Sequence, residues 1–486
     1  PLKGMPTSFH RRPSVSSHGR SVSNDGVLEA PAHLELPRWQ RRRVFFVVCI
    51  QEFLAQLGFA VMAPLFPQEA SDRDVESSVV GWVFGIFQLV IVIGSPLALR
   101  LIPEVGPTRL LKICNFVDGS ANIAFALTWY AVDTNRFIML CFATRIVAAS
   151  ACGITMVVGC GLLPYLFTGK LSTGSAIIET VIGVALTFGP VMGSFLYTLG
   201  GEAKRMGYVL PYLTLGVVQF VFGIFACMYY PVLPTPDAKQ AGIRHFSAKA
   251  VLPCSVCLFS SAAIEFASPT LQPYLAEAPY EFSIAGVGTV FAVWSFIYVG
   301  VSPLVGIADD KTDGRYAVIM MVFGTLCMSL GYIVLAPAGF ILDLVPLRKS
   351  IPNMWIGICL VGGGAGFSLI PTYNNMFQYA LHADEESQAN ATSALYNVMY
   401  AAGAFLGPTV AGELVEIFGY GESYMLLAVF LMVVAVLLII AARFQEPRFA
   451  RSAEFHQGGV RSSLSLSSPG TEEQLSQNHS RQEPRE

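Results

Sequence analysis

The sequence predicts an all-α polytopic membrane protein with twelve transmembrane helices in two six-helix bundles. Three observations predict this fold: long apolar runs separated by short polar loops, an internal repeat, and a low content of charge. Of the 486 residues, 53% are hydrophobic and 13% are charged, whereas a soluble protein carries about 25% charged residues. Runs near the ~20 residues needed to cross a bilayer are typical of transmembrane helices. A soluble enzyme, a disulfide-stabilised domain and, at a net charge of −3, a nucleic-acid-binding protein are poor interpretations.

The apolar runs lie between two polar ends and divide into two sets of six. Residues 1–42 and 444–486 are rich in polar residues that cannot form a core, so we expect disordered tails. Residues 43–231 are expected to form the N-terminal bundle, 232–248 a central cytosolic loop, and 249–443 the C-terminal bundle. The predicted helices are 43–66, 78–100, 109–131, 137–163, 173–198, 208–231, 249–276, 284–306, 315–337, 352–379, 392–416 and 423–443.

The distribution of Lys and Arg between the short loops predicts the orientation. Arg41, Arg42 and Arg43 directly precede the first apolar run, and most basic residues of the other loops fall on the same side of the membrane. Because cytosolic loops carry the excess of Lys and Arg, we expect both termini in the cytosol. The expected location is a vesicle or other endomembrane, or the plasma membrane.

Short Pro and Gly motifs recur in the second half of the chain, about 210 residues later in each case. The recurring pairs are Ser95-Pro96-Leu97 with Ser302-Pro303-Leu304, Gly189-Pro190 with Gly407-Pro408, and Pro64 with Pro269. An even number of helices separates the copies, so the repeats have the same orientation. Two parallel repeats are the arrangement of a secondary transporter with its substrate site between the halves, near the midplane.

Four charged residues interrupt apolar helices near their middle. They are Glu52, Arg145, Glu179 and Glu265. Such charges are costly unless they line a polar cavity or are paired, so each is a candidate for contact with substrate or proton. A buried carboxylate that takes up a proton when it loses a bound cation would support proton/cation exchange. The alternative is that Arg145 and one of the glutamates form a structural ion pair.

Polar, aromatic and small residues in the same helices suggest further roles. Tyr373 and Asn397 add an aromatic and a polar group that could contact an ammonium, although tyrosines in apolar helices are more often packing residues. Gly189, Pro190 and Gly193, with Gly407 and Pro408, are predicted to form close-packed helix faces with a proline kink. We expect no metal and no cofactor; a proton gradient would supply the driving force.

The chain resembles the major facilitator superfamily over all twelve helices. The stretch from Gly306 through Asp310-Lys311 to Gly314-Arg315 is similar to the superfamily's loop signature, and Arg100 remains from a degraded first copy. The resemblance implies a gating motif at Arg100, Asp310, Lys311 and Arg315. Gly189-Pro190-x-x-Gly193 is similar to the antiporter motif in helix 5, and Arg145 matches the arginine of helix 4.

Within that superfamily the chain resembles the vesicular amine transporters, solute carrier family 18, and especially the vesicular polyamine transporter-like branch. The resemblance rests on Glu179-Thr180, Ser268-Pro269-Thr270-Leu271, Ile370-Pro371-Thr372 and the run from Gly403 to Thr409. It implies proton-driven loading of cationic amines into acidic vesicles.

Several acids of the amine carriers are absent from this chain. Ala55, Gly366 and Asn397 align with acids of those carriers in helices 1, 10 and 11. Ser268 also aligns with an acid, and Glu265 lies one turn earlier on the same helix face. Glu179, which the polyamine-like branch shares, is therefore the first candidate. A drug or organic-anion exporter and a non-transporting receptor or scaffold, both on the same fold, remain alternatives.

Overall fold

The computed structural model describes residues 37–166, 171–201, 204–231, 246–312, 314–338, 348–381 and 385–443. Within these residues the chain forms twelve helices that are long and apolar enough to cross a membrane, which confirms the predicted fold class. They are α1 (Arg38–Ala60), α2 (Ser77–Val105), α3 (Pro107–Leu127), α4 (Thr134–Leu166), α5 (Leu171–Leu199), α6 (Lys204–Tyr229), α7 (Val251–Ala276), α8 (Ile284–Lys311), α9 (Ala317–Leu335), α10 (Ile351–Tyr379), α11 (Glu385–Phe418) and α12 (Tyr420–Arg443).

The number of spans is even, so α1 begins and α12 ends on the same side of the membrane. We call this side the tail end and the opposite side the far end. The predicted disordered tails are 1–42 and 444–486. Residues 1–36 and 444–486 lie outside the described residues, as do residues 232–245 of the central loop. Because α1 begins at Arg38, residues 38–42 are helical rather than part of a disordered tail. Phe246, which follows the central loop, forms a β-bridge with Ala380.

The far end of α1 differs from the predicted helix over 43–66. The helix ends at Ala60, and a separate short helix follows at Phe66–Ser71. Pro64 has no N–H with which to continue the hydrogen-bond ladder, whereas Pro67 lies in the first turn of the short helix, where proline is tolerated. The residues across this break are all apolar, so the hydropathy pattern did not reveal it.

The tail end of α11 also differs from the prediction of a helix over 392–416. The helix begins at Glu385, whereas its membrane-spanning part is Ala394–Phe418. The extra turns are polar, with Glu, Ser, Gln and Asn. Such residues can form a helix, but they do not fit the apolar pattern that predicts a membrane-spanning helix.

Equivalent glycine contacts hold α5 and α11 against their neighbours. Gly189 of α5 packs on Ala60 at the end of α1, and Gly407 of α11 packs on Ala262 of α7. An added Cβ at either glycine would overlap the facing helix, so the absence of a side chain permits the close approach. Gly193 continues the α5 contact onto the residue that follows Ala60. The two halves of the molecule are therefore packed in the same way at these positions.

Candidate transport site

The two halves meet where α2 packs on α11 and where α5 packs on α8. Gly81 of α2 lies against the carbonyl oxygen of Pro408, and Gly288 of α8 lies against Pro190 and Ser194 of α5; neither glycine has room for a Cβ. The two helix prolines thus occupy equivalent places, each presenting its carbonyl group to a glycine of the other half.

Polar contacts reinforce this interface at the far end. The Ser77 N–H donates to Glu416 Oε2 at 3.0 Å across the α2–α11 contact. Gln272 Nε2, near the end of α7, donates to Gln68 Oε1 of the short helix at 2.8 Å. Trp82 also packs on Phe405, with ring centroids 5.8 Å apart. These contacts join the two halves at the far end.

Glu52 lies in the N-terminal half, where α1 faces α4. It is 1% exposed, and a Cβ added at Gly159 of α4 would lie 3.6 Å from Glu52 Oε1. The preceding residue, Gln51, donates from Nε2 to Thr155 Oγ1 at 3.0 Å and accepts a bond from the Tyr230 hydroxyl at 3.0 Å. The hydrogen bonds of Gln51 therefore hold α1 against its neighbouring helices, and the Glu52 carboxylate is buried beside them.

Glu265 lies in the C-terminal half, in the middle of α7. It is 6% exposed, and the Ser268 hydroxyl donates to Glu265 Oε2 at 2.7 Å. The Tyr332 hydroxyl of α9 donates to the Ala263 carbonyl oxygen at 2.5 Å, which fixes this part of α7 against α9. Glu265 and Ser268 therefore lie on one face of α7, as expected from their spacing.

Arg145 of α4 is 1% exposed and lies over the ring of Phe125, with its guanidinium carbon 4.1 Å from the ring centroid. Its three guanidinium nitrogens have no hydrogen-bond partner among the residues that the structure describes. Among the described residues, the Phe125 ring lies against this cation and the charge of Asp118 acts on it. A structural ion pair between Arg145 and a membrane glutamate stays a prediction.

Asp118 belongs to a buried polar cluster that the sequence analysis missed. Gln219 Nε2 of α6 donates to Asp118 Oδ2 at 2.6 Å. Asn122 Nδ2 donates to Gln219 Oε1 at 2.6 Å and to Asp118 Oδ1 at 3.3 Å. A signal was available, because Asn115, Asp118 and Asn122 recur at helical spacing in an otherwise apolar run.

Breaking this cluster is expected to destabilise the protein. In Gln219→Leu, Asp118 loses its shortest hydrogen bond and Asn122 loses an acceptor, so the free energy of unfolding should fall by about 1–3 kcal/mol. Thermal unfolding of the purified protein in detergent would measure the loss. The control is Val218→Leu at the neighbouring exposed position of α6; equal stability of the two variants would contradict this account of the cluster.

Half-buried tyrosines lie together on α10 and α11. The rings of Tyr373 and Tyr396 are perpendicular neighbours with centroids 5.8 Å apart, and Tyr400 stacks on Tyr396 at 6.3 Å. Asn397 is half-buried and follows Tyr396 on α11. The structure thus brings the aromatic candidates of the C-terminal half together, and their partly exposed ring faces suit contact with an ammonium.

The predicted gating motif surrounds an acid that the sequence analysis did not select. Asp309 at the tail end of α8 is buried and accepts a hydrogen bond from Asn374 Nδ2 of α10 at 2.9 Å. Asp309 lies four residues after Val305 and shares its buried helix face. Arg100, Lys311 and Arg315 are exposed, and Arg315 lies over the Tyr316 ring at 5.7 Å.

Two further candidates lie on helices that face the other half or the tail end. Glu179 lies on α5 and Asp310 on α8, but the side chains of both are outside the described part of the structure.

Comparison with known proteins identifies the family. Residues 48–393 match the model of the Major Facilitator Superfamily. The chain belongs to the major facilitator superfamily. It is therefore a multi-pass membrane transporter rather than an enzyme, and members of the superfamily bind small-molecule substrates.

Relatives within the superfamily agree with the resemblance to solute carrier family 18. The chain is 28% identical to the human MFS-type transporter SLC18B1 over 400 residues, covering 79% of this chain and 84% of the relative. It is 23% identical to the rat chromaffin granule amine transporter over 295 residues, covering 58% of this chain and 51% of the relative.

Solved structures show the same fold. A bacterial homologue of the human lysosomal transporter Spinster, in an inward-facing and occupied conformation, superposes with a TM-score of 0.67 at 13% identity and covers 83% of this chain and 97% of its own. The nucleoside transporter NupG gives a TM-score of 0.62 at 10% identity, covering 83% of this chain and all of its own.

Proposed function

We propose that the protein is a proton-coupled antiporter that loads organic cations of the polyamine type into acidic vesicles. The observation that carries the proposal is a buried carboxylate in each half, Glu52 in α1 and Glu265 in α7. A charged group in the membrane is costly and marks a substrate or proton pathway. A carboxylate is suited to both ligands, because it binds either a cation or a proton but not both at once.

The packing of the halves supports alternating access. Gly81 and Gly288 bring the halves into close contact toward the far end, so we propose that the structure represents a state closed at the far end and open toward the tail end. In this state a cation enters, binds the carboxylates, and contacts the faces of Tyr373 and Tyr396. The halves then rock to the opposite state, because ligand binding shifts the equilibrium between the two states. In that state protons replace the cation on the carboxylates.

Glu179 is proposed as a third carboxylate of this site. It precedes Pro190 by three helical turns, and Asn397 precedes Pro408 by the same number of residues. Glu179 and Asn397 are therefore equivalent positions of the repeat, on helices that pack against the opposite half through those prolines. At these equivalent positions the proposed site would then have one charged group, the Glu179 carboxylate, and one neutral group, the Asn397 amide.

At the tail end, the proposed gate is built around Asp309. Its hydrogen bond from Asn374 joins α8 to α10, and Asp310, Lys311, Arg315 and the first-half Arg100 complete the signature. We propose that these charges form and break contacts between the halves as the tail end closes and opens.

The orientation follows from the Lys and Arg distribution, with both tails in the cytosol. The similarity to a transporter named for the chromaffin granule supports a vesicle or other endomembrane, and the plasma membrane is the alternative. Loading into an acidic lumen then runs from the tail end to the far end.

The proposal is tested by uptake of labelled spermidine into proteoliposomes with and without an acid interior. Wild-type protein should accumulate spermidine only with the gradient. Glu179→Gln should abolish gradient-driven uptake while leaving thermal unfolding unchanged, because the amide cannot exchange a proton. Wild-type uptake by this variant would remove Glu179 from the site.

A drug or organic-anion exporter is the second candidate, and the buried Arg145 favours it. This cation has no described hydrogen-bond partner for its guanidinium nitrogens, so it could receive an anionic group. Uptake of a labelled organic anion that is lost in Arg145→Gln but retained in Glu179→Gln would support the exporter and contradict the cation antiporter.

A further inference from the structure

Ser268 uses its hydroxyl group differently from other hydroxyl residues of α7. The hydroxyls of Ser261 and Thr270 donate to carbonyl oxygens three or four residues earlier in their own helix, at 3.1 and 2.7 Å. This is the usual hydrogen bond of a serine or threonine inside a helix. The Ser268 hydroxyl instead donates to Glu265 Oε2, a side-chain oxygen, at 2.7 Å. Its hydrogen is therefore directed to the carboxylate rather than to the backbone.

Contacts from two other helices hold the segment of α7 that carries both residues. On the N-terminal side of the segment, the Tyr332 hydroxyl of α9 donates to the Ala263 carbonyl oxygen at 2.5 Å. On its C-terminal side, the hydroxyl groups of Thr270 and of Tyr424 from α12 lie 2.9 Å apart. The segment is thus held on both sides, which preorganises the hydrogen bond between the hydroxyl and the carboxylate.

This hydrogen bond acts on a carboxylate that water reaches poorly. Glu265 is 6% exposed, and Ser268 is half-buried. The hydroxyl therefore replaces part of the solvation that the carboxylate lacks. A hydrogen bond donated to a carboxylate favours its charged form. Removing the hydroxyl should consequently make it easier for Glu265 to take up a proton.

The other ionisable groups on the elements around α7 are neutral, paired or at helix ends. The Tyr332 phenol of α9 acts on Glu265 and is neutral near pH 7, as are the tyrosines of the other neighbouring helices. Residues 351–379 of α10 include no charged residue, and Glu69 of the short helix is paired with Arg73. The described charged residues of α2, α8, α11 and α12 lie toward the helix ends, namely Arg100, Glu104, Asp309, Lys311, Glu413, Glu416, Glu422 and Arg443. Besides burial, the bond from Ser268 is therefore the main described influence on proton uptake by Glu265.

We propose that Ser268 is a positioning residue that sets the pH at which Glu265 exchanges its proton. Its neutral hydroxyl stabilises the ionised carboxylate at the pH of the cytosol, where a cation binds, and still allows protonation at the lower pH of an acidic vesicle. A second acid at position 268 would act in the opposite way, because two adjacent carboxylates hold a proton between them. The inference rests on the proposed function, in which Glu265 is a proton-exchanging group.

The test is a pH titration of Glu265 by infrared spectroscopy on the purified full-length protein, which requires no substrate. The carboxylic acid C=O band that is missing from Glu265→Gln identifies the group. Ser268→Ala should move the midpoint of this band upward by about one to two pH units, as expected for the loss of a hydrogen bond to a charged group. Ser268→Thr retains a hydroxyl and should keep the wild-type midpoint.

Ser261→Ala is the matched control, since it removes a hydroxyl that bonds to the backbone of the same helix, and it should leave the midpoint unchanged. An unchanged midpoint in Ser268→Ala, or an equal shift in Ser261→Ala, would overturn the positioning role. So would a shift that Ser268→Thr does not reverse, because it would reflect altered packing.

Binding of labelled spermidine at several pH values distinguishes this inference from the proposed function. If the infrared midpoint shifts as expected while wild-type spermidine binding is independent of pH, the positioning role of Ser268 stands and the proposed antiport fails. If spermidine binding depends on pH through Glu265 but its midpoint is the same in Ser268→Ala, the antiport stands and the positioning role is overturned.

Discussion

Replacing Glu265 by glutamine is expected to abolish the pH dependence of substrate binding together with proton-driven uptake. In the wild type a proton and a cation compete for one buried carboxylate, so affinity for the cation should fall as the pH falls. Coupling between two ligands is typically 1–3 kcal/mol, which corresponds to about 5–150-fold in affinity. Glutamine preserves the size of the side chain and its contact with Ser268, but it cannot exchange the proton.

Equilibrium binding of labelled spermidine across the pH range of the cytosol and an acidic vesicle measures this effect. Glu277→Gln is the matched control, since Glu277 is exposed at the far end of the same helix and should retain the wild-type dependence. Wild-type pH dependence in Glu265→Gln would contradict the assigned role of this carboxylate.

Introducing leucine at Gly81 is expected to shift the protein away from the state closed at the far end. The side chain would have to occupy space filled by the Pro408 carbonyl group of α11. Overpacking of this kind costs about 1–3 kcal/mol, a 5- to 150-fold shift between the two states. Gly288→Leu should act in the same way at the equivalent α5–α8 contact.

Spin labels at Val132 and Glu277, on the far-end side of the two halves, would report the shift as an increased distance by double electron–electron resonance. Gly94→Leu and Gly300→Leu are the controls, because they lie on the same two helices and a Cβ there would have no heavy atom within 4 Å. Equal distances in Gly81→Leu and Gly94→Leu would show that this contact does not hold the far end closed.

The fold could be predicted from the sequence because two strong patterns agree, namely apolar runs of membrane-spanning length and recurring Pro and Gly motifs. The ends of the helices were harder to predict. Hydropathy cannot detect the break at Pro64, where every neighbour is apolar, and it cannot detect the polar first turns of α11. In both places local backbone chemistry, rather than burial, determines the boundary.

The candidate site was predicted less completely. Burial of Glu52 and Glu265 follows from their positions in apolar runs, but the partners of Arg145 depend on which helices are neighbours in space. The ring of Phe125 comes from α3 and could not be deduced from α4 alone. The spacing of Asn115, Asp118 and Asn122 predicts a polar face on α3, whereas the burial of Asp309 depends on how α8 packs against α10 and cannot be deduced from its own helix.

Proton antiport exchanges an entering cation for protons that leave, and a pH-sensitive dye trapped inside proteoliposomes measures this exchange most directly. External spermidine added without an imposed pH gradient should alkalinise the lumen as protons leave, at a rate well above that of protein-free liposomes, and Glu265→Gln should abolish the difference. Entry of labelled spermidine with no protein-dependent change in luminal pH, or with acidification, would contradict proton antiport.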